Sequence, residues 1–416
     1  MDIPYKLLRE GGREASDPTP APALPASVPA PVAAGAAKPR YVFLDGFRGL
    51  LALWVVLCHL VSRSLQQVDT SSRGGVFEIL MGGHDRVTAF FLLSGFCLMI
   101  PAVRRKGALR DGASGFLRRR FWRIVPTYYA AIALILLCHT LAHAAKNGLG
   151  SLGSLRENEC FRPDVLISHL LLVHNYSFEL TRSLSAPLWT IAIEWQLYFV
   201  FVLILLPLWR LASRQDRWAA GLLGLTGGAA LLGYAPYALL PPSQNFSWTY
   251  PHLVLAFALG MAGAVLALST DDPVVALRRR VPAGVVALVF LGLVWVARAF
   301  GVKAPTAIDP LWSLAVLGMI LMCFQNMERE GERCHWLRRF LESRPLLALG
   351  TISYSLFLTH FGLHAMVVDG LKRLRIEGAP LAWGTFALGL AGSLALAVVF
   401  YRTCEKPFSD FVSRMK

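Results

Sequence analysis

The run LDGFRGLLALWVVLCH places Arg48 and His59 eleven residues apart in otherwise apolar surroundings. On a helix this is just over three turns, so both fall on nearly one face, roughly 16 Å apart along the axis. Arginine holds anions, and histidine is the side chain best placed to move protons near neutral pH. Together they suggest a lined passage, with an anion held at one mouth and a general base deeper in. Asp45 lies one turn before Arg48 and can pair with it. The plainer readings are an arginine that snorkels to the membrane edge and a histidine packed against a neighbouring helix. Cys58, next to His59, points about 100° away around the helix and is given no share in its task.

Other polar groups in apolar runs extend the set. In RVTAFFLLSGFCLMI the small pair Ser94-Gly95 allows a neighbouring helix to come close. RRRFWRIVPTYY puts Arg118, Arg119, Arg120 and Arg123 at the start of an apolar run. The planar fork of arginine suits phosphate, although charge anchoring alone also explains such a cluster. Glu194 lies between Trp189 and Tyr198 in SAPLWTIAIEWQLYFVF and needs a partner, with Arg48, His59 or a loop arginine available. GTISYSLFLTHFGLH gives one helix a polar face of Ser353, Tyr354, Ser355, Thr359, His360 and His364. Two histidines one turn apart with no third ligand do not make a zinc site, and no metal is expected. Glu405 stands near the end, in YRTCEKPFSDF.

The elements that carry these residues are membrane helices. The chain is 55% hydrophobic and 16% charged over 416 residues, with mean hydropathy +0.51. The apolar residues come in ten blocks, near 43–62, 86–103, 124–144, 187–209, 218–235, 251–268, 282–300, 310–326, 345–367 and 380–401. Blocks of this length predict an all-α polytopic membrane protein of about ten transmembrane helices. The segment DVLISHLLLVHNYSF, within 165–178, is too short to span and reads as interfacial or re-entrant. An even number of spans places the loops 104–123, 210–217, 269–281 and 327–344 on the same side as both termini, and the loops opposite are far poorer in Lys and Arg for their length. That pattern puts both termini in the cytoplasm. Lys372, Arg373 and Arg375 dissent from the opposite side. The net charge of +15 is thus an orientation signal, not a nucleic-acid footprint. Residues 1–40 read as a disordered Pro/Ala-rich cytoplasmic tail, 41–411 as the membrane domain, and 412–416 as a second tail. Seven cysteines show no CxxC spacing and no disulfide framework.

Taken in order, the motifs resemble the membrane-bound acyltransferase-3 family. They are LDGFRG with Arg48, ten residues and His59; FFLLSGF; RFWRIVP from Arg120 to Pro126; Trp189, Glu194, Tyr198 and Phe199; SYSLFLTH; and EKPF. Phe47 and Phe357 depart from the family's leucine and tyrosine without removing a charged group. The resemblance covers about 41–411 and implies helices around a central passage. It also implies an acyl-coenzyme A donor, acetyl-CoA above all, entering from the cytoplasm, and a saccharide hydroxyl as acceptor. The saccharide would be a cell-surface or exported polysaccharide or its lipid-linked precursor, and the home a bacterial inner membrane. On that footing Arg48, Arg119, Arg120 and Arg123 are assigned to the coenzyme A phosphates. His59 is assigned as base on the acceptor hydroxyl or, second, as acyl acceptor. Glu194, or the polar face of the ninth apolar block, orients it, and Tyr354 or Ser353 donates to the oxyanion. Asp45, Ser94, Trp189, Tyr198, His360 and Glu405 support them. A macrolide-like acceptor is the alternative within the enzyme class. An anion transporter and a non-catalytic scaffold are the alternatives outside it.

Overall fold

The computed structural model describes residues 41–65, 85–148, 158–213, 217–241, 249–328 and 336–415. The expectation of a disordered tail over 1–40 therefore lies outside the described residues, as do Arg214, Arg333, Cys334 and Lys416. Everything that follows concerns the unit from Tyr41 onward.

Each of the ten apolar blocks is a helix. In chain order the helices are α1 (Val42–Leu65), α2 (Asp85–Arg104), α3 (Gly112–Asn147), the short α4 (Pro163–Leu170) and α5 (Phe178–Ser183), α6 (Trp189–Val200), α7 (Leu206–Ala212) and α8 (Trp218–Leu239). They continue with α9 (Leu253–Leu268), α10 (Asp272–Arg280), α11 (Ala283–Ala299), α12 (Pro305–Glu328), α13 (Trp336–Leu341), α14 (Arg344–Arg373), α15 (Gly378–Phe400) and α16 (Lys406–Arg414). No strand occurs among the described residues. Among the described residues, eight segments are long and apolar enough to cross a membrane, or nine if α9 and α10, bent by 101° at their junction, count as one broken span. The remaining block, α11, has 17 residues, about 25 Å of helix against a hydrocarbon core of about 30 Å.

Two close crossings hold the residues of interest. α1 runs along α14, and α2 along α9. In the second, Gly95 faces the carbonyl of Phe257 and Gly260 faces that of Leu92 so closely that a Cβ on either would collide with backbone. The small residue anticipated at Gly95 therefore does what small residues do in lipid, letting backbones approach where apolar burial gives little preference between helix and lipid. Gly49 and Gly350 make the same contact between α1 and α14, which carries His59 against His360.

Two helical turns widen to π geometry, Phe201–Leu205 and Tyr401–Glu405. Each stands just before a proline, Pro207 or Pro407, which can neither donate to the preceding turn nor fit an unmodified one. The second wide turn ends at Glu405.

The segment between α3 and α6 does not span. It breaks into α4, a 3₁₀ turn (His174–Tyr176) and α5. Tyr128 and Tyr129 of α3 donate to the carbonyls of His169 and Leu170 at 3.2 and 2.6 Å. Gln196 of α6 exchanges amide hydrogen bonds with Asn175 at 3.1 and 2.8 Å and donates to Leu172 O. Ile167, Leu171, Tyr176 and Phe178 stay exposed, as suits a piece resting in the membrane–water interface.

Candidate functional site

The site divides into an arginine-lined end and a deeper histidine pair. Arg48 sits two turns into α1 with its guanidinium 3.8 Å from Asp45, too long for a tight ion pair. Arg48 and Arg120 both lie within electrostatic range of Glu194 and Tyr198. Glu194 accepts from the Tyr198 hydroxyl at 2.7 Å and from Ser94 Oγ at 3.3 Å. The Arg120 guanidinium stands 5.5 Å from the Phe116 ring and 5.8 Å from that of Tyr198, within cation–π range. Four helices, α1, α2, α3 and α6, thus bring two arginines, a carboxylate, a phenol and a serine hydroxyl to one place.

Other anticipated residues fall elsewhere. Arg119 pairs with Asp111, the residue just before its own helix, so that guanidinium is engaged at the start of α3. Arg123 is exposed and faces Glu405. Glu405 accepts from both Oγ and N of Ser355, at 2.5 and 3.1 Å, and so locks the end of α15 to α14. Trp189 packs on Tyr250, with centroids 4.8 Å apart, a turn and a half before Glu194. Tyr354 donates to Ile124 O at 3.1 Å and Ser353 to Gly350 O at 2.8 Å. Each hydroxyl has one proton to give, and both are spent on backbone, so neither is aimed at a developing oxyanion in this arrangement.

Deeper along α1, His59 Nδ1 lies 2.9 Å from His360 Nε2 of α14. His59 is only partly covered, whereas His360 and His364 are fully buried. The His59 ring also meets Phe361 edge-on, with centroids 5.5 Å apart, and Arg63 lies 4.9 Å over the same Phe361. His364 Nε2 is 3.0 Å from Ser393 Oγ. Between the two parts, the partly accessible positions of α2 are Phe90, Ser94 and Cys97, a single stripe at helical spacing. Phe90 meets Phe357 of α14 at 6.2 Å, and Ser94 meets Glu194, so the stripe faces inward between helices. Arg48 and Arg120, the partly accessible Phe90, Ser94 and Cys97, and the partly covered His59 are thus carried by α1, α2 and α3.

Two features escaped the sequence reading. Arg86 is fully buried, lies 5.2 Å over the Trp54 ring and stands within electrostatic range of His59; as the first residue of the block 86–103 it drew no reading of its own. His252 Nε2 donates to Asp309 Oδ2 at 2.9 Å while Nδ1 meets Tyr237 OH at 2.9 Å, both His252 and Asp309 buried. They are 57 positions apart, with no local spacing to connect them. Nearby, Arg298 pairs with Asp85. Among the described residues no group of three His, Cys, Asp or Glu is placed to hold a metal.

The family model described as an acyltransferase domain, of the acyltransferase-3 type, matches residues 41–402. No curated protein and no solved structure matches the chain significantly.

Proposed function

For a chain that belongs to the membrane-bound acyltransferase-3 family, and is thereby a multi-pass membrane acyltransferase, we propose a specific reaction. The protein moves an acyl group, acetyl in the first instance, from cytoplasmic acyl-CoA to a hydroxyl of a saccharide destined for the cell surface. With the basic loops inside, Arg48 and Arg120 stand at the cytoplasmic mouth, where coenzyme A presents its phosphates. The pantetheine arm then runs inward along the stripe of Phe90, Ser94 and Cys97. Its reach is comparable to the roughly 16 Å of helix rise from Arg48 to His59. The observation that carries this reading is the order of groups along α1 and α2: guanidinium, partly accessible stripe, partly open imidazole.

At the thioester, His59 takes the proton of the acceptor hydroxyl as its oxygen attacks the carbonyl carbon. The new C–O bond forms, the C–S bond breaks, and the proton passes from His59 to the leaving thiolate, giving ester and free coenzyme A. Glu194, held by Tyr198 and Ser94, keeps Arg48 and Arg120 poised without occupying either in a tight pair. Bound phosphate can then recruit both.

The test is transfer by purified protein in detergent or nanodiscs, supplied with labelled acetyl-CoA and a saccharide acceptor. Wild type should form labelled ester, and His59→Ala should lose at least about 10²-fold, the range general-base catalysis supplies. Transfer undiminished by His59→Ala would remove the base assignment, and absence of any acetyl-CoA binding would remove the reaction.

A further inference from the structure

We propose that His360 is a positioning residue for His59: it fixes the tautomer of His59 so that the Nε2 lone pair, and not Nδ1, faces the accessible space. This rests on the reading of His59 as the base.

His360 Nδ1 is 3.0 Å from the carbonyl of Leu356 and 2.9 Å from that of Phe357. Carbonyl oxygens only accept, so His360 Nδ1 carries the hydrogen. A neutral imidazole has one N–H, which leaves His360 Nε2 as an acceptor. That atom is 2.9 Å from His59 Nδ1. One of the two must donate, so His59 carries its hydrogen on Nδ1 and its lone pair on Nε2. The chain of donation runs from His59 through His360 to the backbone of α14, and each step follows from the one before.

The ring geometry agrees. The two imidazoles are 8° from parallel with centroids 5.1 Å apart. In the stacked pair His169 and His174, the centroids are only 3.9 Å apart at 7°. With nitrogens 2.9 Å apart, the wider separation means that His59 and His360 meet edge to edge, the arrangement in which an N–H points along a ring lone pair. Phe361 closes another side of the His59 ring. Burial divides the labour: His59 keeps an accessible edge, while His360 is 0% exposed and so orients without meeting substrate.

The alternative protonation state has the opposite consequence. A doubly protonated His360 would donate from Nε2 to His59 Nδ1, forcing the His59 hydrogen onto Nε2 and removing the base. It would also bury a cation whose hydrogen-bond partners are two carbonyls and an imidazole, at the substantial cost of an unpaired interior charge. Among the described residues, the other charged or titratable groups facing the pair are His364 of α14, Arg86 of α2 and Arg63 of α1, and none of these is a carboxylate. The pair thus does with a neutral imidazole what a buried aspartate does in a hydrolase triad, where the wrong tautomer lowers kcat about 10⁴-fold.

Two measurements decide it. The first uses uniformly ¹⁵N-histidine-labelled wild-type protein in nanodiscs, with the His59 signals assigned by their loss in His59→Gln. The proposal expects protonated Nδ1 and unprotonated Nε2 at neutral pH; a protonated Nε2 overturns it, whether or not the protein transfers acyl groups. The second compares transfer kinetics of His360→Leu, which has no acceptor, with His360→Gln, whose Oε1 can replace Nε2. His360→Leu should lower kcat about 10²–10³-fold with KM for acetyl-CoA held within about twofold, and His360→Gln should recover at least about tenfold of that loss. Equal losses in both variants, or a change confined to KM, would mean that His360 only packs. If wild type itself transfers nothing, the proposed reaction fails while the ¹⁵N result still judges the tautomer.

Discussion

Replacing Arg48 with glutamine tests the inner mouth. The Arg48 side chain is 31% exposed and sits 3.8 Å from Asp45, so the guanidinium is neither lost in the core nor consumed by its neighbour. On the account given above it makes charge-assisted hydrogen bonds to a phosphate of coenzyme A. Such a bond contributes about 1.5–3 kcal/mol. The interaction with Asp45, half-open to solvent, returns no more than about 1 kcal/mol when it is given up. The net loss of about 1–2 kcal/mol corresponds to about 5–30-fold in KM, at about 1.4 kcal/mol per tenfold. The assay is initial-rate acetyl transfer with acetyl-CoA and, in parallel, with a truncated acetyl thioester that lacks the nucleotide and its phosphates. KM for acetyl-CoA should rise about 5–30-fold with kcat nearly unchanged, while the truncated donor should be indifferent to the substitution. Equal effects on both donors, or a fall in kcat alone, would refute a phosphate-holding role for Arg48.

Further outcomes follow from other parts of the structure. Asp309→Ala leaves His252 without its acceptor in a buried setting, a loss of about 1–3 kcal/mol; thermal unfolding should come earlier while KM for acetyl-CoA stays unchanged, and a KM shift would place this cluster in donor binding. Gly260→Val drives a side chain into the Leu92 carbonyl and should cost about 1–3 kcal/mol or more by overpacking, seen as lost expression or a lowered Tm; an unchanged Tm would show that α2 and α9 separate freely. Burial pushes His169 down to about 4 and His174 to about 3, so both stay neutral in the folded segment while their unfolded counterparts take up a proton below about pH 6.5. Stability is therefore complete above that pH and falls as the medium is acidified, by about 1.4 kcal/mol per pH unit for each histidine. Amide protection over 163–188, corrected for intrinsic exchange, should drop sharply between pH 7 and pH 5, and equal protection at both would count against the buried pair.

Much of this architecture was legible in the sequence because lipid imposes a simple rule: every span must be a long apolar helix. All ten blocks are helices, and the failure of 165–178 to span was evident from its length. That Arg48 and His59 share one helix was legible too, since a single apolar block holds both. What lay out of reach was contact between helices. Nothing in the spacing of Ser353, Tyr354 and Ser355 says which hydroxyl turns to the backbone and which, Ser355, reaches Glu405. Arg119 and Arg120 are neighbours in sequence, yet one pairs with Asp111 and the other lies over Phe116 and Tyr198, because adjacent helical positions face different surroundings. His360 read as one member of a polar face that could orient His59; the carbonyls one turn back and the His59 imidazole on α1 are what single it out. The pair of His252 and Asp309 depends on how α9 and α12 meet, which no local pattern encodes.

The central claim is one of direction: coenzyme A phosphates at the arginine end, thioester at His59. A cryo-electron microscopy structure of the protein with acetyl-CoA, or with a non-hydrolysable thioether analogue, measures it directly. Phosphate density is expected within hydrogen-bond distance of Arg48 and Arg120, and the thioester carbonyl beside His59 Nε2 with the pantetheine along Phe90, Ser94 and Cys97. Coenzyme A bound at the opposite end, against His252 and Asp309, or with its thioester far from His59, would contradict it.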